Sequence, residues 1–83
     1  MPGGDAEAAF ISAMEAAGVV PQHGTASGAV DLARAICLRY EAGGRFVDVM
    51  AVLAEGEMSL DQMIDMEQAA TLHYCPEHHI PKA

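Results

Sequence analysis

The stretch SLDQMIDMEQAATLHYCP, residues 59–76, decides the fold. Ser59 and Gln62 stand at capping-box spacing. In that motif the serine hydroxyl accepts from the N–H of the third helical residue, and the glutamine side chain accepts from the serine N–H. Asp61 places a negative charge in the first turn, where it favours the helix dipole. The helix is expected to run to Tyr74 or Cys75. Pro76 must stop it, because proline disfavours helix at the preceding residue.

Three more helices can be read by working outward. A short one is expected over about Arg45–Ala54, with Phe46, Val49, Met50 and Leu53 as its apolar stripe and Gly56 closing it. Before it, Gly43-Gly44 ends a helix of about Gly28–Ala42, with Ser27 or Thr25 as N-cap. Its stripe is Ala29, Leu32, Ala33, Ile36, Cys37 and Tyr40, with most of its charges off that face. Gln22–Gly28 reads as a loop, and Val19-Val20-Pro21 as an extended segment. The first helix is expected over Ala6–Ala17, with Asp5 as N-cap, Gly18 as stop, and Phe10, Ala13, Met14 and Ala17 on one face. No strand pattern is present. The reading is an all-α, compact four-helix domain with short connections over residues 5–76, stapled by one disulfide, with residues 1–4 outside the fold and 77–83 a mobile polar tail.

The core material is light. The chain has 83 residues, no Trp, and only Phe10, Phe46, Tyr40 and Tyr74 as aromatics. A domain this small buries only about 60–65% of the surface its unfolded chain exposes, so a staple, a metal or a partner is expected to support it. Cys37 lies on the stripe of the second helix and Cys75 at the end of the fourth. Their separation excludes a CxxC redox pair. Two buried thiols or one disulfide would satisfy the sequence; the weak core favours the disulfide, and with it an oxidising compartment.

Charge narrows the partners. Twelve carboxylates against four Lys and Arg give a formal net charge of −8. Nucleic-acid binding needs phosphates neutralised by Lys and Arg, and anionic membrane surfaces need the same, so neither is expected. A monomer kept in solution by its charge is. No stretch reaches the roughly 18–20 apolar residues of a membrane span. Met1-Pro2-Gly3-Gly4 has no basic, then apolar, signal pattern. If the protein is exported, the signal peptide has been removed before Met1.

Candidate chemistry is sparse. His73, Glu77, His78 and His79 surround Cys75-Pro76 and are the candidate transition-metal ligands, with haem as a variant of that reading; their spacing matches no paired-ligand motif. His23 is expected in an exposed loop. Asp61 and Asp65 share a helix face, but acid/base catalysis needs one carboxyl in an apolar pocket, so a solvated face is expected. The serines lie in no GxSxG elbow, and Gly43-Gly44 is no phosphate loop. No catalytic residue is assigned and no cofactor is expected. Met50, Met58, Met63 and Met66 are expected as core filler; the sharper reading makes Met50, Leu53, Met63 and Met66 an apolar surface for a peptide or lipid.

The order of these features is also familiar. Phe10, a helix ending in Ala17-Gly18-Val19, an Ala-rich helix carrying Cys37, a Gly-Gly turn, a Val/Leu helix and the ending Ala69-Ala70-x-x-x-Tyr74-Cys75-Pro76 together resemble the family called domain of unknown function 732, found in small exported mycobacterial proteins. The likeness spans about Asp5–His79. It implies a helical domain, a precursor with a signal peptide or an anchor, and a Cys37–Cys75 disulfide. It implies no activity. The expected role is a non-enzymatic, secreted or envelope protein that binds a protein, peptide or lipid of the envelope or host. The alternative is a metal or haem binder that uses the C-terminal histidines.

Overall fold

A computed structural model describes Pro2–Pro81, with side chains from Asp5 onward. The order is α1 (Pro2–Ala16), α2 (Ala26–Glu41), α3 (Phe46–Leu53), α4 (Leu60–Tyr74) and a 3₁₀ turn at Pro76–His78. Helix α4 is the centre: α1 and α2 pack along it, and α3 closes one end. The four-helix expectation holds, and there is no strand among the described residues.

Local chemistry sets the boundaries. The Ser59–Gln62 capping box forms in both directions: Gln62 N donates to Ser59 Oγ at 3.1 Å and Ser59 N to Gln62 Oε1 at 2.9 Å. The other end of the Gln62 amide donates to the carbonyls of Ala17 and Gly18, at 3.3 and 3.2 Å. One side chain thus caps the start of α4 and satisfies carbonyls at the end of α1. Between the two alternatives for α2, Thr25 is the cap, accepting from Gly28 N at 3.1 Å. Gly18 takes φ +77°, and the Val19 N–H donates back to Met14 O at 2.9 Å, which turns the chain out of α1. Gly43, at φ +92°, does the same after α2.

Two boundaries differ from expectation. Helix α1 begins at Pro2, so Asp5 sits in its first turn and is not the N-cap. Proline suits the first helical turn, where its missing N–H has no helical partner to lose. Met1 lies outside the described residues. At the other end, the chain after Pro76 turns back onto α4 and does not leave the fold. Gln68 Nε2 donates to the Ile80 carbonyl at 2.9 Å, and Thr71 Oγ1 lies 2.9 Å from His79 Nδ1. Lys82 and Ala83 lie outside the described residues.

The core joins Phe10 and Met14 of α1, Val19 and Val20 of the turn, Ala29, Val30, Ala33 and Ile36 of α2, Val49 and Leu53 of α3, and Met66, Ala69 and Ala70 of α4. Small residues on α2 and α4 let those helices approach closely. The Cys37–Cys75 disulfide is formed, with Cα atoms 5.9 Å apart, and ties α2 to the end of α4 across the core edge.

Tyr74 sits beside the disulfide, its ring edge-on to Phe10 at 5.5 Å between centroids. Its hydroxyl is buried with no hydrogen-bond partner among the described residues. A buried, unpaired hydroxyl loses its water bonds for nothing in return. Tyr74→Phe is therefore expected to leave stability unchanged or to raise it by up to about 1 kcal/mol, read as the urea midpoint. A loss larger than that would show that the hydroxyl has a partner.

Candidate functional site

Helix α4 carries one charged residue on its inner face. Glu67 is 3% exposed and stands among Met63, Met66, Ala70 and Tyr74 on the apolar stripe. Its carboxylate is held by neutral donors: Tyr40 OH donates to Oε2 at 2.7 Å, and Gln68 Nε2 donates to Oε1 at 2.9 Å. Tyr40 comes from the last turn of α2, so this bond joins two helices over the disulfide end of the core. The face of Tyr40 is stacked on the His78 ring, with centroids 5.7 Å apart and planes 19° apart.

These groups form the floor and one wall of an open groove of about 630 Å³. Tyr40, Glu67 and Gln68 line its floor. Gly44, Arg45 and Phe46 at the start of α3 line one side, Ile64 adds an apolar patch, and Glu77, His78 and Ile80 line the other. Phe46 is 48% exposed and Ile80 78% exposed. Phe46 lies on the apolar stripe of α3, yet the Gly43-Gly44 turn starts that helix so far out that its first side chain reaches the rim and not the core. Arg45 N donates to Asp48 Oδ2 at 2.9 Å, which fixes this corner.

Electrostatics at the floor favour the protonated phenol. Burial, then the bond to Glu67, then the negative charge of Glu67, raise the Tyr40 pKa far above the ordinary tyrosine value. Tyr74 is raised as well, by burial and by Glu7, with Arg34 opposing. A raised folded pKa means that the folded state keeps its proton where the unfolded chain, with a pKa of about 10, has lost it. The stabilisation is complete below that pH and falls away above it. The prediction is steep alkaline unfolding beginning above pH ~10, with tyrosinate absorbance appearing together with loss of helix. Tyr40→Phe should lessen that steepness. Tyrosinate absorbance that rises near pH ~10 while the helices persist would contradict the bond to Glu67.

The expected metal ligands are divided by the 3₁₀ turn. Glu77 and His78 face the groove, whereas His73 and His79 line a depression on the α1 side with Asp65 and Leu72. His79 is engaged by Thr71. Thr71 Oγ1 lies 2.9 Å from His79 Nδ1 and 2.9 and 3.2 Å from the α4 carbonyls of Glu67 and Gln68, so the hydroxyl ties the His79 ring to the backbone of α4. Among the described residues, no three or more His, Cys, Asp or Glu are grouped to hold a metal ion.

The expected apolar surface is also placed differently. Leu53 and Met66 are core residues, and Met50 and Met63 are half-buried against that core. The α3 and α4 stripes face each other, so their methionines fill the interior. Leu53 and Met66 line a second depression, of about 410 Å³, together with Val19, Leu32 and Met58. Asp61 is exposed and Asp65 half-buried, and His23 is exposed in its loop.

The residue missed by spacing arguments is Glu67. A carboxylate on the apolar stripe of a helix is the signal that marks it, because charged groups are rarely buried without a specific partner. No helix among the described residues is long and apolar enough to cross a membrane. No curated protein and no solved structure matches the chain. Residues 6–77 match the family described as protein of unknown function (DUF732), the span that holds most of α1, the other three helices, both cysteines and the Tyr40–Glu67 pair, and the chain belongs to that family.

Proposed function

We propose that this protein is an exported, non-enzymatic binding module that holds a segment of another protein in the groove between the start of α3 and the 3₁₀ turn. The observation that carries this reading is the apolar rim, Phe46 and Ile80, standing exposed over a polar floor whose groups are held in place by one another. Exposed aromatic and aliphatic anchors around a preformed depression are what a binding partner buries. The disulfide supports export, since such bonds persist in oxidising compartments. The charge of −8 supports a free protein over one held on anionic lipid.

The test is a titration of the isotope-labelled, oxidised protein with a set of short peptides of varied charge and apolarity, followed by amide NMR shifts. Binders should move Tyr40, Gly44, Phe46, Ile64, Gln68 and His78 together, and Phe46→Ser with Ile80→Ser should abolish the response. Shifts gathered at Val19, Leu32 and Met58 instead would move the site to the second depression and overturn this reading.

A further inference from the structure

Among the described residues, only neutral groups are bonded to the charge on the floor of the groove. Both hydrogen bonds to the Glu67 carboxylate come from neutral groups, the Tyr40 phenol and the Gln68 amide. A carboxylate offers about four lone-pair positions, and the described residues fill two of them. Taking a carboxylate out of water is costly unless an opposite charge and full hydrogen bonding repay it. A second carboxylate, Glu77, stands at the wall, against one guanidinium, that of Arg45. The whole chain is acidic, at −8. Around this charge the surfaces are aromatic and apolar: Tyr40 and Phe46, with Ile64 and Ile80.

We infer that the groove selects a basic side chain flanked by apolar residues, a Lys or Arg whose charge is received by Glu67 and Glu77 while its neighbours cover Phe46 and Ile80. The inference rests on the binding role proposed above and names the chemistry of the partner. An alkyl stem passes along Tyr40 and Ile64, and the cationic head supplies Glu67 with a charged donor beside the neutral ones of Tyr40 and Gln68. Aromatic faces beside it add cation–π attraction. The long-range field of an acidic domain draws the same kind of segment and repels acidic ones.

The experiment compares three peptides on the unmodified, oxidised protein: acetyl-Leu-Lys-Phe-amide, the same peptide with norleucine for lysine, and the same with glutamate. Norleucine keeps the stem and removes the charge. The lysine peptide should bind about tenfold more tightly than the norleucine peptide, as a charge-assisted bond at a buried carboxylate implies, and the glutamate peptide more weakly than either. Glu67→Gln, which keeps the shape of the floor, should bring the lysine peptide to the level of the norleucine peptide measured on the same variant. Glu77→Gln should give a smaller loss. Equal binding of the lysine and norleucine peptides in the groove would overturn the charge inference and leave the binding role standing. If no peptide of any charge moves the groove amides, both fail. Phosphatidylcholine vesicles that move the groove while the peptides do not would assign it to a lipid headgroup and overturn the inference.

Discussion

Cys37→Ala with Cys75→Ala is expected to lower the stability of the domain by about 4 kcal/mol, the entropy of closing a loop of 38 residues in the unfolded chain. In a domain of this size that is a fall in Tm of roughly 15–30 °C, since each kcal/mol moves it by about 4–8 °C. Native small domains hold only about 5–15 kcal/mol in total. The double variant should therefore be partly unfolded near physiological temperature. The bond also anchors the end of α4, from which the chain turns back to place His78 against Tyr40. Loss of the bond should expose the groove wall before it melts α1. Differential scanning calorimetry of oxidised, reduced and doubly substituted protein measures the first effect, and hydrogen exchange of residues 76–80 against those of α1 measures the second. A shift of only a few degrees would show that the helices hold themselves without the staple.

Phe10→Ala is the second large effect. Phe10 is fully buried, is the largest side chain in the core, and its ring meets Tyr74 edge-on at 5.5 Å. Truncating a buried phenylalanine costs about 3–5 kcal/mol, made up of lost burial and of the cavity left behind. The upper half of that range is expected here, because the core cluster that holds Phe10 is rich in alanine, at Ala29, Ala33, Ala69 and Ala70, whose side chains have little with which to fill a gap. Urea unfolding gives the value. Phe10→Leu, which keeps most of the volume, should lose much less, and equal losses in both variants would mean that the ring contact with Tyr74 dominates over volume.

The helices and the staple were legible because their signals are local or compositional. Ser59 and Gln62 announce the start of α4 within four residues, Gly18 and Gly43 mark the ends of α1 and α2, and the stripes of α1 and α2 face inward as their spacing implies. The candidate site was not legible in the same way. The Tyr40–Glu67 bond joins residues 27 apart, and the groove needs the start of α3 and the chain after Pro76 as its two sides. Spacing on one helix carries no information about such a meeting. Phe46 shows the limit well: its place on the α3 stripe predicts burial, yet it stands half-exposed at the first position of that helix, at the rim of the groove. The tail misled for a related reason. Its polar composition suggests a free segment, but Gln68, Thr71 and Tyr40 hold it by polar and ring contacts, which composition does not reveal. Gln62 is the capping residue that its spacing from Ser59 marks, while its second role at the end of α1 depends on how the two helices lie.

The groove exists only if the chain after Pro76 rests on α2 and α4 in solution. The most direct measurement is the set of proton NOEs between the rings of Tyr40 and His78, together with those from Thr71 to His79. The account predicts strong cross-peaks in both places in the oxidised protein, loss of the Tyr40–His78 peaks on reduction of the disulfide, and slowed exchange of the His78 and His79 amides, which donate to the carbonyls of Cys75 and Pro76. Sharp, random-coil signals from residues 77–80 with no NOE to Tyr40 would contradict it.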